Sequence, residues 1–163
     1  VQHMPETFTP SFAQRLNNLS KLTVIEAKGG ERLQPGMAYL APGHSHMRVR
    51  KSGAGFVLEL SKEEPVNRHR PAADVLFWSV AEQVKQNALG MILTGMGKDG
   101  AQGLLAMRQA GAWNIGQDQA TCVVYGMPRE AAEIGALDEV ASLGDISGIL
   151  LAKLRALDKR AGG

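Results

Sequence analysis

Apolar positions along the chain alternate between two periods. Phe12, Leu16 and Leu19 fall on one face of a helix, with Thr9 as its expected N-cap and Pro10 at its first position. Leu22 to Ala27 alternates like a strand, and Met37 to Ala41 reads as a second. Gly29-Gly30 and Pro35-Gly36 punctuate the loop between them. Met47 to Lys51 and Gly55 to Leu60 flank Ser52-Gly53-Ala54, which predicts an antiparallel hairpin. Pro65 to Pro71 reads as an extended linker. A helix follows from about Ala73 to Asn87, with Leu76, Val80 and Val84 on one face. Leu89 to Thr94 is a near-continuous apolar run, as expected of a buried parallel strand. A glycine loop, Gly95 to Gly100, leads into a helix over Ala101 to Gln109 that stops at Gly111. Ala112 to Gly116 is a further strand, and a short helix follows Pro128. A terminal helix carries Ile146, Ile149, Leu150 and Leu154, and Asp158 to Gly163 are expected to fray. Val1-Gln2-His3 reads as the tail of a strand. This order predicts an α/β fold: a doubly wound, mostly parallel sheet flanked by helices, with an antiparallel hairpin.

The length, 163 residues, suits a single domain spanning 1–163. Hydrophobic residues make up 44% and charged residues 21%, which suits a packed, soluble core. The formal charge is +2 and the basic residues are scattered, which argues against a nucleic-acid partner. Runs such as Val75 to Trp78 and Gly148 to Leu151 are too short for direct membrane insertion. One cysteine, Cys122, excludes an internal disulfide and suits the cytoplasm.

The segment richest in chemistry is Leu93 to Ala101, and it has three readings. Gly95, Gly97 and Gly100 spell G-x-G-x-x-G between a strand and a helix, which is the dinucleotide fingerprint. Asp118 then stands about where an acidic residue would bind a ribose hydroxyl. Against this, Asp99 would set a carboxylate against the pyrophosphate. In the second reading the turn places Asp99 at the carboxyl end of the sheet, to orient a histidine. The same turn exposes the Met96 N–H, which could stabilise an oxyanion. In the third, Asp99 only caps the following helix.

His3 follows an apolar strand tail and precedes Met4-Pro5 and a helix, so it is expected at the strand's carboxyl end, on the same rim as Asp99, where histidine suits acid–base work. Its alternative is an exposed histidine near a chain end. His44 and His46 are spaced as a metal pair would be on a strand, but no cysteine pair or nearby carboxylate completes a set. They are therefore assigned to a polar loop after Pro42-Gly43. His69, between Arg68 and Arg70, is assigned to a solvated basic linker. Cys122 lies in an apolar stretch that suits a small buried side chain.

Several blocks, in one order, resemble a known family. They are Gln2-His3-Met4-Pro5, Tyr39-Leu40-Ala41-Pro42-Gly43, Pro65-Val66-Asn67-Arg68-His69-Arg70-Pro71, Ile92 to Ala101, and Gly126 to Ala131. Together they are similar to the catalytic domain of the chemotaxis protein-glutamate methylesterases, the CheB family. Asn114 and Gly116 depart from that family's frequent Thr and Ala.

The resemblance implies that His3 is the catalytic histidine and Asp99 the catalytic aspartate. It implies that the Met96 backbone N–H is part of the oxyanion hole. It implies hydrolysis of glutamate γ-methyl esters, and deamidation of certain glutamines, on the cytoplasmic methylation helices of chemoreceptors. No metal or organic cofactor is implied. The family's nucleophile is a serine in a Gly-Ala-Ser-Thr-Gly-Gly loop, and none of the serines here has those surroundings. That loop is expected upstream of Val1, as is the family's receiver domain, and this chain alone is expected to be inactive. A receptor-binding pseudoenzyme is the remaining alternative.

Overall fold

The computed structural model describes residues 1–161. The elements run α1 (Thr9–Leu19), β1 (Thr23–Glu26), β2 (Met37–Leu40), β3 (His46–Ser52), β4 (Gly55–Ser61) and α2 (Ala73–Gln83). A 3₁₀ turn (Lys85–Asn87) follows, then β5 (Leu89–Ile92), α3 (Ala101–Gln109), β6 (Trp113–Gln117), α4 (Met127–Glu133), β7 (Glu139–Ala141) and α5 (Leu143–Ala161). Strands β1 and β2 pair in parallel, β5, β6 and β7 form a parallel sheet in that order, and β3 and β4 form an antiparallel hairpin. The expected α/β class, mostly parallel with one hairpin, is therefore present. Among the described residues the parallel strands fall into two sheets rather than one. No described helix is long and apolar enough to cross a membrane.

Helix α2 lies between two apolar clusters. One contains Ile92, Leu104, Met107, Ala131 and Ala136, and the other contains Ala27, Ala41, Met47, Val49 and Leu58. Val80 and Val84 pack against both clusters, and Leu76 joins the second, as their shared helix face predicts. Polar bonds fix the hairpin to the same helix. The Ser79 hydroxyl accepts from the Val49 N–H at 2.9 Å.

Several expectations need correction. Val1 and Gln2 lie in no strand among the described residues; instead the Met4 N–H donates to the Gln2 carbonyl at 3.0 Å, a three-residue turn centred on His3. Thr9 does not cap α1. Its buried hydroxyl accepts from the distant Gly43 N–H at 3.1 Å and donates locally to the Glu6 carbonyl, so it is used by one tertiary and one local contact. The helix expected to Asn87 stops at Gln83, because Lys85 takes a positive φ of 58° and the chain tightens into the 3₁₀ turn. Strand β5 ends at Ile92 because the Thr94 N–H turns to the buried side-chain carbonyl of Gln117, at 2.8 Å. Helix α5 includes Asp158 and runs to Ala161, while Gly162 and Gly163, the end of the segment expected to fray, lie outside the described residues.

The departures at Asn114 and Gly116 have structural partners. The Asn114 amide is buried and donates to the Leu104 and Ala136 carbonyls at 2.8 and 2.9 Å. A Cβ on Gly116 would strike the Leu137 side chain.

Helices α2 and α3 approach closely because Gly103 has no side chain. A Cβ there would sit 2.5 Å from the Phe77 Cβ and 3.0 Å from the Asp74 carbonyl oxygen. Gly103→Ala is expected to destabilise the fold by about 1–3 kcal/mol, because neither helix can yield without disturbing the core. Chemical denaturation of the pair of proteins measures this. An unchanged midpoint would show that the helices move apart freely.

Candidate active site

His3 and Asp99, 96 positions apart, meet at 2.6 Å through Nε2 and Oδ2. Two local features bring His3 to that point. The three-residue turn at Gln2–Met4 sets its backbone, and Gly43 lets the following loop press on the next residues. A Cβ on Gly43 would lie 2.6 Å from the Met4 carbonyl oxygen, so a side chain there would push the histidine segment away.

Asp99 is buried, at 1% exposure, and uses both oxygens fully. Oδ2 accepts from His3 and from the Ala73 N–H at 2.6 Å, while Oδ1 accepts from the Asp74 N–H and the Asn67 amide at 3.1 Å each. Ala73 and Asp74 open α2, whose own N-terminal residues provide no side-chain cap. Asp99 therefore terminates α2 from a distant loop, placing negative charge at the positive end of that helix. Burial alone would push its carboxyl up. The bonds from His3, Ala73, Asp74 and Asn67 outweigh this and hold it below the ordinary carboxylate range.

The arrangement is reciprocal. Asp74, on α2, accepts from the Gly103 N–H in the first turn of α3 at 2.6 Å, and from the Asn67 amide at 2.7 Å. Each helix is thus capped by a carboxylate from beside or within the other. Asp74 differs in one respect: desolvation dominates and pushes its carboxyl up, against the Gly103 and Asn67 bonds and with added repulsion from Asp99.

A carboxylate can only accept, so His3 must donate to Asp99 from Nε2 when neutral. The lone pair then resides on Nδ1. In the serine-protease arrangement the carboxylate takes the Nδ1 proton instead. The histidine retains 21% side-chain exposure, and among the described residues no serine bonds to it.

Met96 lies three residues before Asp99 on the same loop. The loop is tied to the α4 approach through Gly95, whose N–H donates to the Val124 carbonyl at 3.1 Å and whose carbonyl accepts from Met127 at 2.7 Å. The Met96 N–H donates to no acceptor among the described residues, and its side chain is 79% exposed. No hydrogen bond joins Met96 to His3.

The dinucleotide reading of Gly95, Gly97 and Gly100 does not survive this geometry. A pyrophosphate needs the free N–H groups of α3, and the Asp74 carboxylate already occupies that first turn through Gly103. Asp118 is likewise committed, accepting from the Thr121 N–H and hydroxyl at 3.0 and 2.6 Å.

Two of the other histidines, His46 and His69, are reassigned, while His44 lies in the turn after Pro42 as expected. His46 begins β3 and is buried rather than in a polar loop; its Nδ1 accepts from the Ala72 N–H at 3.1 Å and its Nε2 faces the Glu64 carbonyl at 3.0 Å. With both nitrogens used by backbone, it has none left for a metal. His44 Nδ1 lies 2.7 Å from the Ser45 hydroxyl. His69 is not in a solvated linker. It stacks on His3, ring centroids 3.6 Å apart and planes within 2°. Cys122 is half-buried, and burial raises its thiol above the ordinary value, with Asp118 adding to this and a Thr94 bond opposing it.

The family model described as CheB methylesterase matches residues 1–150. This chain belongs to that family. The protein-glutamate methylesterase/protein-glutamine glutaminase of Nitrosomonas europaea is 59% identical over 161 residues, covering 99% of this chain and 45% of that protein. That of Methylobacillus flagellatus is 58% identical with the same coverage. The crystal structure of the Thermotoga maritima CheB methylesterase catalytic domain matches with a TM-score of 0.90 at 40% identity, covering 93% of this chain and 80% of that one. The chain therefore spans about half the length of the curated relatives it matches.

The two carboxylates have opposite pH linkage. Asp99, held low, contributes stability above the ordinary carboxylate value and loses it as pH falls through its folded value. Asp74, pushed up, costs stability while ionised and is relieved as pH falls through its raised value. Asp99→Asn is expected to lower stability by about 1–3 kcal/mol near neutral pH, by removing a charged acceptor from buried donors. The gap should narrow on acidification below the ordinary aspartate value, as the native carboxylate also protonates. Melting temperatures of both proteins across pH test this; a gap that widens in acid would reverse the assignment.

Proposed function

We propose that this chain is the histidine- and aspartate-bearing part of a methylesterase catalytic domain whose parent hydrolyses glutamate γ-methyl esters on chemoreceptors. The observation that carries the reading is the 2.6 Å bond between His3 and a buried, helix-anchored Asp99. It leaves a partly exposed imidazole with one nitrogen fixed and the other free for proton transfer.

In this reading the serine of the family's glycine-rich loop, supplied by the parent protein, attacks the ester carbonyl. His3 Nδ1 takes the hydroxyl proton. Asp99 holds the Nε2 proton and stabilises the imidazolium, remaining ionised throughout because its bonds disfavour protonation. The free Met96 N–H and one from the serine loop bind the oxyanion. Collapse of the tetrahedral intermediate expels methanol, which receives the proton from His3. Water then attacks the acyl-enzyme by the same proton route and releases the glutamate side chain. With a glutamine amide the leaving group is ammonia and the proton steps are unchanged. The chemistry requires no metal or cofactor.

The partners proposed are the cytoplasmic methylation helices of chemoreceptors and a receiver domain in the parent, in the cytoplasm. The doubled length of the curated relatives supports a further domain.

Asp99→Asn in the complete protein is expected to lower kcat by about 10⁴-fold, the scale for removing the orienting carboxylate of a triad. Methanol release from a methylated receptor measures it, and near-native turnover would overturn the role of Asp99. The 163-residue chain alone is expected to release no methanol and to resist a serine-directed phosphonate. Labelling that His3→Ala abolishes would place a nucleophile within the chain.

A further inference from the structure

His69 is the one feature of the site without a role so far. It reaches His3 through a tight turn. The Val66 and His69 backbones bond to each other in both directions, at 3.0 and 2.9 Å. Between them Asn67 and Arg68 take left-handed conformations, with φ of 53° and 67°. Left-handed geometry at both central positions is that of a type I′ turn, and a non-glycine residue there costs about 1 kcal/mol or more. Backbone held in such a conformation needs support from its surroundings. Here the support is visible: the Asn67 amide bonds to both Asp99 and Asp74. One turn therefore delivers two side chains to the catalytic pair, Asn67 to the carboxylate and His69 to the imidazole.

The stack completes a constraint that Asp99 leaves open. A single hydrogen bond fixes the position of Nε2 but permits the ring to rotate about the Nε2–Oδ2 line. A parallel ring at 3.6 Å blocks that rotation. The two contacts together set where Nδ1 points. Face-to-face contact also needs at most one charge between the rings. Burial first, and then the charge of His3, hold His69 below the ordinary histidine value, against the opposing pull of Asp99. Near neutrality it is an uncharged packing partner.

We propose that His69 is a positioning residue for the hydrolysis, holding the His3 imidazole in the plane from which Nδ1 exchanges its proton with the nucleophile. The role rests on the methylesterase reading of the site. It depends on ring shape and not on acid–base chemistry. An aromatic side chain should substitute for it, and a small one should not.

The test uses the full-length parent protein. His69→Ala is expected to lower kcat on the order of tenfold, as a small misplacement of the reacting group does, with KM within about twofold. His69→Phe should recover most of kcat, with a pH profile of native shape. Proton NMR gives a readout independent of turnover: the low-field signal of the proton shared by His3 and Asp99 should persist in His69→Phe and broaden in His69→Ala. Native kcat in His69→Ala, or a His69→Phe variant as slow as His69→Ala, would overturn the proposal. If the unmutated protein has no esterase activity, the methylesterase reading fails, and the NMR comparison still decides whether His69 holds His3.

Discussion

Asp99 is a buried carboxylate that ends a helix to which it does not belong. Four donors converge on it: the first two N–H groups of α2, the Asn67 amide and the His3 ring. Removing a buried carboxylate from water is costly, and only this density of bonding makes its ionised form the stable one. The same bonds that stabilise the helix therefore fix the charge that faces the histidine. In the proposed reaction, fold and chemistry would rest on this one group.

Asp74 reflects that arrangement from the other side. It lies in the first turn of α2 and closes the first turn of α3. Gly103 makes this possible by letting the helices touch, and Asn67 spans both carboxylates. The crossed caps explain why the glycine loop resembles a nucleotide fingerprint yet is closed to phosphate. Its glycines serve the sharp turn and the close helix approach, while the anion the helix requires is already part of the protein.

Much of this was legible in the sequence. Elements with clear punctuation, such as α3 between the glycine loop and Gly111, and the hairpin around Ser52-Gly53-Ala54, stand where their patterns place them. So does the face of Leu76, Val80 and Val84, because apolar burial is what that spacing reports. Strand β7, three residues long, was not foreseen, since alternation has no meaning over Glu139–Ala141. Asp99 could be placed beside the end of a strand from its position after β5, whereas His3 could be placed there only from the family resemblance, since the strand tail read at Val1-Gln2-His3 is absent among the described residues. Asn67 and His69 could not. Their segment reads as a proline-bounded linker, and nothing in local periodicity marks a left-handed turn at Asn67-Arg68. The choice of Nε2 over Nδ1 was equally hidden, because it depends on the angle at which two distant loops meet.

Helix α2 is packed by both apolar clusters at once, through Val80 and Val84. Neither cluster can loosen without disturbing a wall of the other, so the chain is built to open as one cooperative unit rather than in halves. The helix that makes this seam begins where Asp99 ends it. A partial opening of the β3–β4 hairpin would therefore be felt at the histidine–aspartate pair, and the pair would be intact only in molecules whose two cores are both closed.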